Sequence, residues 1–208
     1  MELLFACVNQ INFVVIVMKK YLEVSEYVDW DHSEILVLAK KLAADNKSDV
    51  HIAQRCFEWV RDKIKHSWDY KQNPVTCKAS DVLKHGTGYC FAKSHLLAAL
   101  LRANQIPAGL CYQRLSIHDD GAPYSLHGFN AAYLKGYGWY RFDARGNKET
   151  VDAQFKPPQE QLAFPINEEN EIDFPNILVE PHPSVVEVLT TFDTVEEVLK
   201  NLPDTKIL

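Results

Sequence analysis

The apolar positions of residues 31–70 recur at helical spacing, as Ile35, Leu38 and Leu42 and then as Ile52, Cys56, Trp59, Val60 and Ile64. That rhythm predicts two amphipathic helices. Asp31 or Ser33 is placed to cap the first, and Ser48 or Asp49 the second, because short side-chain oxygens satisfy the unpaired N–H groups of a first turn. Residues 66–79, with Asn73 and Pro74, read as a loop. A short helix over "SDVLKH" precedes Gly86 and Gly88, and a longer one begins at Cys90 and runs to about Asn104, ahead of Pro107. Beyond that point the period changes: "AGLCYQRL", "LHGFNAAYL" and "WYRFDA" are short runs of strand-forming residues, divided by the turn-like "DDGAP" and "KGYG". Helices first and an antiparallel sheet afterwards make an α+β arrangement. Residues 150–208 are proline-rich and end in the helix-like "TVEEVLKNL". They read as a wrap around the same core, which gives a single domain over 18–208 with its centre at 80–146.

Composition narrows the function classes. A chain of 208 residues, 47% hydrophobic and 24% charged, can bury a core of its own. Its formal net charge of -6 argues against a nucleic-acid partner, which would need a surplus of Lys and Arg on one face. The apolar start, residues 1–17, is interrupted by Asn9, Gln10 and Asn12, and the basic pair Lys19 and Lys20 follows it instead of preceding it. Neither a membrane span nor a signal peptide is expected there. "MKKYLEV" from Met18 looks like an ordinary bacterial start, so residues 1–17 read as an upstream extension without an assigned function, and the chain as cytoplasmic with no membrane partner. Five cysteines form an odd set without a C-x-x-C pair, and the eight histidines show no H-x-x-x-H. Reduced thiols, no metal and no cofactor are expected.

The chemistry centres on Cys90. It follows Gly88 and Tyr89 at the head of a helix, where unpaired N–H groups and the positive end of the helix dipole favour a thiolate. The same N–H groups, that of Cys90 included, are placed to stabilise an oxyanion. A cysteine nucleophile needs a base and a group to orient it, and the following strands offer His127 and Asp143. These two lie sixteen residues apart, an even separation, so an odd-numbered hairpin loop or a bulge puts both on one face of the sheet. Centred on Gly136, the hairpin sets Asp143 opposite Phe129 and diagonal to His127; a two-residue loop of Gly136 and Tyr137 would separate them. Cys56 and Cys111 read as core residues and His95 as a helix-surface or packing residue.

Taken together, "GTGYCFAKSHLLAALLRANQIPAGLCY" and "HGFNAAYLKGYGWYRFDARG" resemble the bacterial branch of the transglutaminase-like superfamily. The resemblance rests on Gly88 and Cys90, the run Leu96–Leu101, the segment Ile106–Gly109, His127, and Gly138, Trp139 and Asp143, across about residues 80–146. It implies a papain-like α+β fold in which N-terminal helices and the nucleophile helix pack on an antiparallel sheet. It also implies a Cys90–His127–Asp143 triad acting on an amide of a peptide or protein, by hydrolysis or by transamidation through a thioester. One departure is Phe129, where the family often carries Trp. Tyr89, Trp68, Tyr70 and Gln72 are candidates for the oxyanion donor or the pocket wall. Arylamine acetyltransferases share the order Cys, His, Asp, but the strand "GWYRFDARG" and the short chain fit them less well. The alternative to an enzyme is a catalytically silent module of the same fold that binds a peptide or protein partner in its groove.

Overall fold

The computed structural model describes residues 18–118 and 120–208; the extension read over 1–17, Cys7 included, lies outside the described residues. Helices α1 (Ser33–Ala43) and α2 (Asp49–Lys63) stand where the apolar period puts them. Ser48 caps α2, its side chain accepting from the His51 N–H. The head of α1 differs from expectation, since the residue before it is His32 and no side chain caps it. The cap position falls on His32, between the two residues expected to fill it: Asp31 lies outside the helix and Ser33 is its first residue.

The predicted loop over 66–79 contains two ordered pieces. Strand β1 (Lys65–His66) and the one-turn helix α3 (Ser67–Tyr70) precede the helix α4 (Ala79–His85). Strand β2 (Thr87–Gly88) pairs parallel with β1, setting His66 across from Gly88. This short ladder brings the chain around His66 up to the residues that lead into helix α5 (Cys90–Ala103).

Helix α5 is buried on every side, with α1, α2 and α4 packed on one flank and the sheet on the other. A helix enclosed in this way must satisfy its polar side chains internally. Arg102, wholly buried, donates to the carbonyls of Ala108 (3.0 Å), Glu23 (2.9 Å) and Val179 (2.6 Å). His95 donates from Nδ1 to the Cys77 carbonyl at 2.8 Å and is therefore a core packing residue.

The sheet is built from β3 (Ala108–Ser116), β4 (Tyr124–Leu134) and β5 (Gly138–Phe142). The tail adds a hairpin of β6 (Gln154–Lys156) and β7 (Gln159–Gln161), and then β8 (Ile172–Asp173), which pairs antiparallel with β3. The resulting order is β5-β4-β3-β8. All of β3 is buried, because α5 covers one face while Ile177, Leu162 and Trp139 pack on Cys111, Phe129 and Ala131 on the other.

The tail ends in α6 (Pro183–Thr191) and α7 (Val195–Lys200). The first of these is absent from the pattern reading of "EPHPSV". Pro183 opens the helix, a position where its missing N–H removes no bond. Thr194 and Glu197 form a reciprocal cap on α7. The tail is fastened near the sheet by Tyr89 Oη donating to the Val195 carbonyl (2.6 Å), by the Leu126 N–H donating to Pro203 (2.7 Å), and by the two-pronged Arg114–Asp204 pair. One cluster of buried apolar side chains runs from Val28 through α5 and the sheet to Val198. Among the described residues no helix is long and apolar enough to cross a membrane.

Candidate active site

The register of the β4–β5 hairpin decides whether His127 and Asp143 can meet. Asn130 pairs with Phe142 and Leu134 with Gly138, so the loop is the three residues from Lys135 to Tyr137, centred on Gly136. Continued by one pair, this register sets Asp143 across from Phe129 and diagonal to His127, on the same face. The two side chains make contact, His127 Nε2 to Asp143 Oδ2 at 2.6 Å, with His127 only 5% exposed and Asp143 wholly buried.

Asp143 is held from three sides. Besides His127, its Oδ1 accepts from the Arg145 N–H (2.9 Å) and its Oδ2 from the Ala163 N–H (3.1 Å). Burial works to raise its pKa, but His127 and these N–H groups outweigh burial and hold the carboxyl below its ordinary value. For His127 burial works to lower the pKa. The Asp143 charge and then Cys90, each reinforced by a hydrogen bond, overcome it and hold the imidazole at about 10. With Nε2 committed to Asp143, Nδ1 is the ring nitrogen left for the thiol.

Cys90 is the first residue of α5, 8% exposed, and no side chain caps that helix start. Its position beside His127 depends on Gly128. A Cβ there would stand 2.9 Å from Phe91 Cδ1 and 3.1 Å from Phe91 Cα, so only a glycine lets the first turn of α5 lie directly on β4. Burial pushes the thiols of Cys56, Cys77 and Cys111 up to about 12.

Cys90 and His127 open onto a cleft of about 390 Å³ with Trp68 and Tyr89 in its wall. Tyr89 is fixed there by its bond to Val195. Tyr70 and Gln72 do not line this cleft. Tyr70 is 61% exposed, and Gln72 follows Lys71, whose φ of 49° ends α3 and turns the chain away. The tail closes one side of the cleft with Leu199, Leu202 and Phe164, whose ring stands edge-on to His127 at 5.0 Å. Phe155 and Phe174, also in the tail, go instead into the core.

Pattern reading missed His66 and Arg145. His66 lines the cleft and packs edge-on to Tyr89 at 5.6 Å; burial foremost, and then the Arg145 guanidinium, hold it well below its ordinary value, so it is neutral near pH 7. Arg145 makes a two-pronged pair with Asp69 at 2.6 and 3.1 Å while its N–H supports Asp143. Its place two residues after Asp143 was a usable signal. His66 had none, because two-residue strands leave no period.

The family model of the transglutaminase-like superfamily matches residues 37–144, just over half of the chain. The chain belongs to this superfamily. Its fold, with α5 packed on an antiparallel sheet, is the transglutaminase-like and papain-like core that the resemblance implied. Among solved structures, this transglutaminase-like chain is similar to a candidate cysteine protease from Cytophaga hutchinsonii at 24% identity and a TM-score of 0.49, over 60% of this chain and 40% of that one. It is also similar to the periplasmic domain of TgpA from Pseudomonas aeruginosa (17% identity, TM-score 0.44, 60% of this chain and 45% of that one). Red sea bream transglutaminase is a third (11% identity, TM-score 0.42, 55% and 27%). In each case the match spans less than half of the other protein. No curated protein sequence matches the chain.

Proposed function

We propose that this transglutaminase-like chain is a cysteine-dependent acyl transferase acting on amides, with Cys90 as nucleophile, His127 as acid–base and Asp143 as the group that orients the imidazole. The observation that carries this reading is the buried 2.6 Å contact between His127 and Asp143 in the cleft that also holds Cys90. An imidazole held protonated up to about 10 is the counter-ion a thiolate needs. In the reaction, the Cys90 sulfur bonds to the amide carbonyl carbon and the oxyanion faces the free N–H groups at the head of α5. His127 delivers its proton to the departing nitrogen as the C–N bond breaks, leaving a thioester. Water releases the acyl group as an acid, which is peptidase or amidase chemistry; an amine releases it as a new amide, which is transamidation. His127 takes the proton of the attacking water or amine and keeps it as the Cys90 sulfur departs as thiolate, which restores the starting ion pair.

The test is alkylation by iodoacetamide at pH 6, read cysteine by cysteine by mass spectrometry. Cys90 is expected to label ahead of Cys56, Cys77 and Cys111 and to slow in His127→Ala. Equal, slow labelling of the four thiols would overturn the proposal and leave a peptide-binding module of the same fold.

A further inference from the structure

Next to the cleft lies a second cavity of about 550 Å³, and the two share His66, Asp69, Arg145 and Lys148 as walls. Its lining adds Arg61, Lys65 and Lys93, so that five cationic side chains face two carboxylates, Asp62 and Asp69. This excess occurs in a chain whose formal net charge is -6. Arg61 pairs with Asp62, while Arg145 (2.6 Å) and Lys148 (3.3 Å) share the single carboxylate of Asp69, so the cavity keeps an excess of positive charge over Lys65, Lys93 and Lys148. Lys93 is the most unusual of them. It is 1% exposed, and its Nζ donates only to the Ile64 and Arg61 carbonyls, with no carboxylate bonded to it. Burial, and then the neighbouring Arg145, bring its pKa down to about 7. The attraction of an anion beside it would oppose both effects. A second observation points the same way. His66 Nδ1 is buried and has no hydrogen-bond partner, and Asp69 Oδ2 approaches it only to 3.5 Å.

We propose that this cavity is an anion subsite of the Cys90 cleft and that it takes a carboxylate carried by the substrate a short chain length from the amide that Cys90 attacks. The inference rests on the reading of Cys90 as nucleophile and adds a substrate class, amides whose acyl or amine part bears a free carboxylate. Lys148 and Lys65 stand at the exposed side of the cavity and Lys93 at its floor, so an entering carboxylate meets progressively less solvent and a stronger field.

The experiment compares two alkylating probes of equal length, N-iodoacetyl-β-alanine and its carboxamide, with glycine and γ-aminobutyrate analogues to vary the reach. Rates at Cys90 are measured in the wild-type protein and in the Lys65→Ala/Lys148→Ala variant. For at least one spacer the carboxylate probe is expected to react about tenfold faster than its carboxamide, roughly the effect of one charge-assisted hydrogen bond. That preference is expected to fall toward parity in the double variant. The charge on His127 is common to both proteins, so the fall on removing the lysines reads the cavity. Equal rates for each probe pair, with Cys90 still the fast thiol, would overturn the subsite and leave the nucleophile standing. A preference that survives both in the double variant and in Lys93→Met would place the anion elsewhere and likewise overturn it. Failure of every probe to label Cys90 ahead of the other thiols would overturn the nucleophile itself, and the subsite with it.

Discussion

Asp143→Asn tests the electrostatic arrangement at the base of the cleft. The substitution keeps the shape of the side chain and exchanges one acceptor oxygen for an NH₂ group. The native carboxylate accepts from His127 and Ala163 at Oδ2 and from Arg145 at Oδ1. Whichever way the amide is turned, its NH₂ faces at least one backbone N–H, that of Arg145 or that of Ala163. A buried donor left unpaired costs about 1–3 kcal/mol. The charge adds to this. A rise of His127 from its ordinary 6.5 to about 10 corresponds to roughly 5 kcal/mol of preference for the charged ring. Shared between Asp143 and Cys90, it assigns Asp143 on the order of 2–3 kcal/mol. The variant is therefore expected to be less stable by roughly 4 kcal/mol at pH 6.

The two parts separate with pH. Because the folded-state pKa of His127 is raised, its contribution is fully present below 6.5 and is lost as pH rises through about 10. The unpaired-donor part does not titrate in that window. Asp143 itself, held below its ordinary value, keeps its charge throughout. Lys93, brought down to about 7 by burial and then Arg145, makes stability rise with pH over much of the same range; the Asp143 charge works against that fall, so its removal adds a smaller change of the same sign to the difference. Urea unfolding at pH 6, 8 and 10 is the assay, and the gap between wild type and variant is expected to narrow toward the donor part alone. A gap of constant size from pH 6 to 10 would refute the claim that Asp143 holds the His127 proton.

Three further outcomes follow from the packing around α5. Gly128→Ala forces a methyl against Phe91; it is expected to lower stability by about 1–3 kcal/mol and, by shifting the head of α5, to slow iodoacetamide labelling of Cys90. Unchanged labelling would show that the close approach does not position the thiol. Arg102→Met removes the donor to the carbonyls of Ala108, Glu23 and Val179, the first of them buried, and is expected to lower the urea midpoint by the equivalent of about 3 kcal/mol, whereas a neutral result would mean that these carbonyls find other partners. With thiols held at about 12, Cys56, Cys77 and Cys111 are expected to resist alkylation at pH 8 until urea unfolds the chain; prompt labelling of any of them in the folded protein would contradict their burial.

How much of this was legible in the sequence depended on the length of each element. α1, α2, α5 and the three main strands carry enough residues for a period to emerge, and the parity of a single hairpin loop was enough to bring His127 and Asp143 to one face. The missed pieces are local or non-local for identifiable reasons. β1 and β2 are two residues each, so the parallel pairing that carries His66 to the head of α5 has no pattern to show. α6 was hidden by its prolines, one of which occupies the opening position. Tyr70 and Gln72 were drawn in by their nearness in sequence to Trp68; Tyr70 lines the neighbouring cavity and not the cleft, and Gln72 lies beyond the left-handed Lys71 that ends α3. Phe164 had no period to mark it in the tail, and its place on the His127 ring comes with a non-local bond, from the Ala163 N–H to Asp143.

The burial of α5 explains why the site and its basic neighbour share one helix. A helix wrapped by other elements on all sides cannot lean its polar residues into water, so each must find a fixed partner or a cavity. Ser94 bonds back to the Phe91 carbonyl of the same helix, while His95 and Arg102 find backbone carbonyls of neighbouring segments, which pins the helix in register and direction. Cys90, at the exposed end of the same rigid rod, thereby inherits a fixed place against His127, as a nucleophile requires. Lys93 lies one turn further in and is held by carbonyls at the end of α2, near the β1 residues that carry His66. A change that loosens α5 should therefore disturb both cavities together. Arg102→Met, remote from the cleft, is expected to slow Cys90 labelling and to reduce the carboxylate preference in the same preparation, whereas a stability loss with both readouts intact would show that the site is held by the sheet and not by the helix.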